Sequence, residues 1–239
     1  MDNCKNCTTA ITGKYCSNCG QPAQLKRINA HYIVHEIEHV LHFERGILYT
    51  MRELLLQPGK NIREYLSENR SRLVKPIIFI VISSVIYTLV SHFFHIEDGY
   101  INYQEVKASS ITVMSQWIQN HYGYANIIMG IFIAGWLRLF FRKYNYNVFE
   151  IVILLCFLIG MGMLMLTLGA LIEGLTKIPM MKPFTLVIVL YTVWGIGQFF
   201  DKTKPLNYVK AFFSYMLGLL TFGIAMAFLG ITFDLIFRK

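Results

Sequence analysis

The sequence contains few charged residues and has no apolar run near its start. Aspartate, glutamate, lysine and arginine make up only 15% of the 239 residues, whereas hydrophobic residues make up 55%. This composition excludes an ordinary water-soluble domain and indicates an integral membrane protein. Residues 1–30 also lack the apolar segment that is typical of a secretory signal peptide. We therefore expect the N-terminus to remain in the cytoplasm.

The net charge of +8 raises the question of a nucleic-acid partner. Most lysines and arginines, however, flank apolar runs and do not gather in one polar segment. Basic residues next to membrane spans stay on the cytoplasmic side, so membrane topology accounts for this distribution. We therefore expect the lipid bilayer to be a partner of the chain and nucleic acid not to be one.

Five apolar runs are long enough, at about 17 to 27 residues, to cross a bilayer as helices. Backbone groups in hydrocarbon must form hydrogen bonds within their own segment, which favours helices over strands. The basic residues that flank the runs place the N-terminus in the cytoplasm of an inner-membrane protein. Because the fourth run is short and the chain ends on Arg238 and Lys239, four or six spans are alternatives. The predicted spans are approximately 76–95, 124–141, 148–172, 184–200 and 211–237, within a membrane domain of residues 76–239.

Residues 25–75 show helical periodicity without the length needed to cross a membrane. Asn29 and Gly46 have the chemistry to begin and end one helix. A second helix is predicted from Ile47 to Leu56, and Pro58 suits the start of a third. These amphipathic helices are expected to lie against the cytoplasmic face of the membrane or the cytoplasmic ends of the spans.

Four of the five cysteines form two C-x-x-C pairs near the N-terminus, separated by eight residues. In a reducing compartment this pattern favours metal over disulfide bonds, and four thiolates suit tetrahedral zinc. All four ligands would come from the protein, so the site would be structural. An iron–sulfur or redox role is the alternative. We predict one structural Zn²⁺ per chain in a zinc ribbon of residues 1–24, held by Cys4, Cys7, Cys16 and Cys19.

The predicted zinc ribbon has few features of a nucleic-acid-binding module. Its basic residues are Lys5 and Lys14, with Lys26 and Arg27 just after it, and its main aromatic residue is Tyr15. Such a surface offers neither a dense positive patch nor a stacking platform. We therefore expect the ribbon to bind an unidentified protein partner.

Three stretches resemble an uncharacterised family of bacterial inner-membrane proteins. They are GKYCSNCGQ from Gly13 to Gln21, GILYTMRELLLQPGKNIREYL from Gly46 to Leu66, and the basic run from Arg70 to Pro76. The resemblance implies an N-terminal zinc ribbon followed by several transmembrane helices. It implies no activity, because the family has none established.

The stretch HYIVHEIEHVLH contains an H-E-x-x-H pattern, which is typical of zinc proteases. At 100° per residue its four histidines lie on one stripe about 80° wide, opposite the apolar face. Glu38 occupies a place that is normally uncharged in such proteases, and no third ligand is evident. We therefore interpret the stripe as a solvated face, with a secondary metal or pH-sensing site and a metalloprotease as alternatives. The histidines of the stripe are His31, His35, His39 and His42.

The centres of the apolar runs contain no aspartate, glutamate, lysine or arginine. Transporters usually keep ionisable residues near the bilayer midplane, so a non-enzymatic scaffold, assembly factor or sensor is the preferred interpretation. A small-molecule or ion transporter or channel is the alternative. Gly223 and Ala227 form a small-residue pair that would allow a homo-oligomer. The sequence thus predicts an all-α polytopic membrane protein.

Overall fold

The computed structural model describes residues 4, 7–10, 13–19, 46–96, 118 and 121–237, with 233–237 as backbone only. It divides into two compact units, Met1–Glu44 and Arg45–Lys239. The described residues of the second unit form helices and no β-strand, which confirms the all-α fold class. The helices are α1 (Ile47–Leu56), α2 (Pro58–Ser67), α3 (Pro76–Phe93), α4 (Tyr122–Phe140), a 3₁₀ helix (Arg142–Tyr144), α5 (Val148–Thr176), α6 (Met181–Asp201) and α7 (Pro205–Phe237).

Five of these helices, α3 to α7, are long and apolar enough to cross a membrane. The prediction of about five transmembrane helices is therefore confirmed. The largest difference in limits is at α7, which begins at Pro205 and not near residue 211. The first turns of α7 contain Asn207 and Lys210, so a search for apolar residues misses them although they are helical.

Helix α5 is the centre of the membrane bundle. In its most apolar stretch 72% of the residues are buried, against 17% in α7. Its apolar residues lie all around the helix, as expected when neighbours surround it. Phe157, Leu154 and Leu158 are fully buried in the resulting core. Its first turn has a capping box, in which Asn147 and Glu150 exchange side-chain-to-backbone hydrogen bonds.

The two short helices lie at one end of this bundle. We call α1, α2 and the connector that follows them, residues 47–75, the collar. Aromatic contacts bring the chain between α4 and α5 onto the end of α6: Phe141 stacks on Phe200 at 3.9 Å between ring centroids, and Tyr146 lies 4.6 Å from Phe199. The collar, the starts of α3, α5 and α7 and the ends of α4 and α6 therefore share one end of the bundle.

The opposite end is closed by short backbone contacts. The Glu173 carboxylate accepts hydrogen bonds from the backbone N–H groups of Met180 and Met181, at 2.7 and 3.1 Å. Gly174 faces the ring of Phe94 so closely that a Cβ atom there would lie 2.3 Å from it. These contacts hold the turn between α5 and α6 against the end of α3.

Candidate metal centre and polar collar

The four N-terminal cysteines come together in the first unit. Their Sγ atoms all lie within 4.8 Å of one another. The Sγ atoms of Cys4 and Cys19 are 3.6 Å apart, and those of Cys7 and Cys16 are 3.5 Å apart. Sulfur atoms at the corners of a tetrahedron with Zn–S bonds of about 2.3 Å would lie about 3.8 Å apart. The spacing therefore fits one zinc ion.

A tight turn after the first cysteine shapes one side of this cluster. The backbone N–H of Cys4 donates to the carbonyl of Thr9 at 2.9 Å, and the N–H of Thr8 donates back to the carbonyl of Cys4 at 2.8 Å. Thr8 adopts a positive φ of 60° to close the turn. The turn brings Cys7 back beside Cys4, so that both cysteines can bind the same ion.

The environment of Cys7 favours the thiolate that metals bind. The Thr9 hydroxyl lies 3.4 Å from the Cys7 sulfur. Hydrogen bonding with the Thr9 side chain, then with its backbone, lowers the pKa of Cys7 to about 6. A thiol with this pKa is mostly deprotonated at neutral pH, which removes one proton that a metal would otherwise have to displace.

The histidine stripe belongs to a part of the chain that the structure does not describe. His31, His35, His39 and His42 lie outside the described residues, as does the helix predicted between Asn29 and Gly46. The secondary metal and pH-sensing hypotheses for the stripe therefore stay predictions.

In the second unit, the carbonyl groups that end α1 are capped by side chains from elsewhere. The Asn61 side-chain N–H donates to the carbonyls of Glu53 and Gln57, at 2.8 and 3.0 Å. The Tyr191 hydroxyl, from span α6, donates to the carbonyl of Leu54 at 3.0 Å. The last turn of a helix leaves its carbonyls without intrahelical partners, so these bonds satisfy α1 and tie it to the span.

The reverse arrangement holds at the end of α6. The Arg63 guanidinium, from α2, donates to the carbonyl of Phe199 at 2.7 Å and also to that of Gln198. A cation at a helix C-terminus also interacts favourably with the helix dipole. Gly59 permits this close approach, because a Cβ atom there would lie 2.4 Å from the backbone of Gln198 and Phe199. Collar and span thus cap each other's helix ends.

Arg72 connects the two collar helices to their connector. Its guanidinium lies 2.8 Å from the carboxylate of Glu53 on α1 and also pairs with Glu64 on α2. Its Nε donates to the Tyr49 hydroxyl at 3.1 Å, which is the main cause of a raised pKa for Arg72. The backbone N–H of Val74 donates to the Thr50 hydroxyl at 3.1 Å. None of these bonds could be predicted from the sequence, because none follows from local periodicity.

A cavity of about 400 Å³ opens between the collar and the start of α5. Its charged walls hold two cations and three carboxylates. Among them, Arg63 and Glu64 form the collar contacts described above, and Glu150 belongs to the capping box of α5. The lining residues are Lys60, Arg63, Glu64, Leu66, Ser67, Glu68, Tyr146 and Glu150. This lining contains no cysteine or histidine.

Residues 44–88 match the model of one family, described as a protein of unknown function (DUF3667). The match covers the collar and most of α3, including the Gly46 to Leu66 and Arg70 to Pro76 stretches that carried the resemblance. The cysteine pairs lie outside it. No curated protein matches the chain, and no solved structure matches it. Over its collar and first span, this chain is therefore similar to a family whose function is not established.

Proposed function

We propose that this protein is a non-enzymatic scaffold, assembly factor or sensor of the bacterial inner membrane, whose zinc ribbon binds a protein partner in the cytoplasm. The observation that carries the proposal is the closed cluster of four cysteine sulfurs. Four protein thiolates fill a tetrahedral zinc site and leave no position for substrate or water. Zinc in such a site stabilises a small module and leaves its surface available for binding.

The short distances between sulfur atoms support a single ion over the iron–sulfur alternative. The two closest pairs are 3.5 and 3.6 Å apart, near the edge length of a tetrahedron around one zinc. A cluster of several iron and sulfide atoms needs more room between its cysteine ligands. Zinc would be held by Cys4, Cys7, Cys16 and Cys19, and it would supply folding free energy to the ribbon.

The membrane domain supports an anchoring role. The charged residues of the spans lie near their ends, and most of the apolar stretch of α5 is buried among its neighbours. The collar is bonded to α6 by Arg63 and Tyr191, so it would present a fixed platform at the membrane surface. The basic residues near that end favour a cytoplasmic position for the collar.

Site-specific cross-linking in native membranes tests the partner. A photoreactive amino acid replaces exposed Lys14 in the ribbon, and Lys177 at the other end of the bundle serves as the control position. We expect a discrete cross-linked protein from position 14 that is lost in the Cys4→Ser/Cys16→Ser variant and retained in Cys156→Ala. Cross-linking that is unchanged by the double substitution would contradict the docking role of the ribbon.

A further inference from the structure

Two basic segments that are distant in the sequence meet at the collar end of the bundle. The 3₁₀ helix after α4 is joined to the start of α7 by a hydrogen bond of 2.8 Å, which the Asn207 side chain donates to the Tyr144 hydroxyl. The stacked rings of Phe141 and Phe200 lie beside this bond. Cationic side chains on both segments therefore belong to one surface. We call Arg142, Lys143, Lys202, Lys204 and Lys210 the basic patch.

Most of the charge of the basic patch is not neutralised by the residues that the structure describes. Residues 139–147 and 199–212 contain a single acidic residue, Asp201, and it pairs with Lys204 at 2.6 Å. Within the described part of the chain, the other four cations form no ion pair. By contrast, Arg72 and Lys60 in the collar are both paired with carboxylates. The patch is therefore complementary to an anionic occupant.

The surroundings of the patch resemble a membrane interface. Arg142, Lys143 and Lys202 are exposed at the ends of two spans. The Lys143 ammonium nitrogen lies over the Tyr144 ring, 5.0 Å from its centroid. The Tyr208 hydroxyl donates a hydrogen bond of 3.3 Å to the Lys202 carbonyl. Tyrosines and basic residues at span ends are typical of the lipid headgroup level.

Exposed apolar side chains continue from the patch along α7. Leu206, Val209 and Phe213 are each more than half exposed and lie three or four residues apart, so they share one side of the helix. A molecule that fits this surface would have a negative group, which contacts the cations, and a hydrocarbon chain, which lies along the apolar side chains of α7. A phospholipid has both parts, whereas free phosphate and nucleic acid have no hydrocarbon.

We propose that the basic patch binds the phosphate groups of anionic phospholipids in the leaflet on the collar side. This inference rests on the five spans crossing a bilayer, but it is independent of zinc and of the ribbon's partner. Each cation near an anionic membrane surface contributes about fivefold to association, and salt weakens the effect.

The test uses the full-length protein in nanodiscs of phosphatidylcholine with a minor fraction of phosphatidylglycerol, and it measures retained lipids by native mass spectrometry. We expect phosphatidylglycerol to be enriched over phosphatidylcholine in the wild type. In the Lys143→Gln/Lys202→Gln variant, the enrichment of phosphatidylglycerol should be at least about fivefold lower than in the wild type. The control, Lys177→Gln/Lys182→Gln, makes the same charge change at the other end of the bundle and should retain it. If the first variant fails to fold, Arg142→Gln/Lys210→Gln replaces it.

Three results would overturn the inference. One is equal retention of the two lipids by the wild type, and another is equal loss of enrichment in patch and control variants. The third is binding of an RNA oligonucleotide to the patch of the wild type in phosphatidylcholine discs, together with no enrichment of phosphatidylglycerol. None of these results affects the zinc site, whose metal content is measured separately.

Discussion

The Arg63 guanidinium donates a hydrogen bond of 2.7 Å to the backbone carbonyl of Phe199, although 136 residues separate them in the chain. This bond joins the collar to the end of α6. Arg63→Ala should lower the free energy of unfolding by about 2 kcal/mol, because carbonyls at the α6 terminus lose charged donors. Thermal unfolding in detergent measures the loss, and limited proteolysis should cut α2 more rapidly.

Arg52 provides the matched control for this change. It is an exposed arginine on α1 that takes no part in the bonds between collar and span. Arg52→Ala should change stability by less than about 0.5 kcal/mol. Equal destabilisation by the two variants would show that the Arg63 contact has no special role.

Gly59 should tolerate no side chain, because its Cα lies against the backbone of α6. A Cβ atom there would be 2.4 Å from backbone atoms of Gln198 and Phe199. Gly59→Ala should therefore cost about 1 to 3 kcal/mol as the helices are forced apart. Gly135→Ala is the control, since a Cβ atom there meets nothing within 4 Å, and it should be neutral or stabilising by up to about 1 kcal/mol. Unfolding midpoints that fall equally for both would contradict the close approach.

Arg72 should be important for the collar, whereas Lys60 should not be. The side chain of Arg72 is 27% exposed and pairs with two carboxylates, while that of Lys60 is 60% exposed and lies 3.6 Å from Glu64. Arg72→Gln should destabilise by about 2 kcal/mol, because Glu53 then loses its cation and Glu64 keeps only the exposed Lys60. Lys60→Gln should cost less than about 0.5 kcal/mol. Denaturant titration of the two variants measures the difference, and a similar midpoint for both would refute it.

More of the fold than of the candidate site could be predicted from the sequence. Apolar periodicity predicted α1 with the limits that the structure has, and the lengths of the apolar runs predicted five spans. The cysteine spacing predicted the quartet that the structure brings together. These features are local, so one segment of sequence contains the whole signal.

The collar contacts could not be predicted in this way. From the sequence alone, Arg63 is predicted to be one of several exposed cations on an amphipathic helix. Tyr191 is predicted to be an aromatic residue in an apolar span. Their partners are carbonyl groups, which every residue has, so no side-chain pattern marks them. Such bonds depend on which helices pack together, and that is settled by the whole bundle.

The orientation in the membrane can be tested with single cysteines at the two ends of the bundle. If the collar faces the cytoplasm, Lys177→Cys should react with a membrane-impermeant maleimide in intact cells whose outer membrane is permeabilised. Lys202→Cys should react only in inverted vesicles. Both positions are exposed, so labelling reports the side of the membrane and not burial. The opposite pattern would place the collar outside the cytoplasm.

Zinc binding should weaken as the pH falls through about 6. Above that value the Cys7 thiol is mostly ionised, and below it protons compete with metal for the sulfur. Equilibrium dialysis against a zinc buffer at each pH measures the bound fraction. Thr9→Val removes a hydrogen bond to the sulfur and should move the release to higher pH. Thr8→Val is the control, because the Thr8 hydroxyl bonds to the Cys7 carbonyl, and it should release zinc at the wild-type pH.

The metal content of the purified full-length chain tests the central proposal most directly. We expect one zinc per chain in the wild type and in Cys156→Ala, and none in Cys4→Ser/Cys16→Ser. Two zinc ions per chain, one of them surviving the double substitution, would instead indicate a second site and direct attention to His31, His35, His39 and His42. A wild-type protein without zinc, or a double variant that keeps its full metal content, would contradict a structural zinc site at the four cysteines.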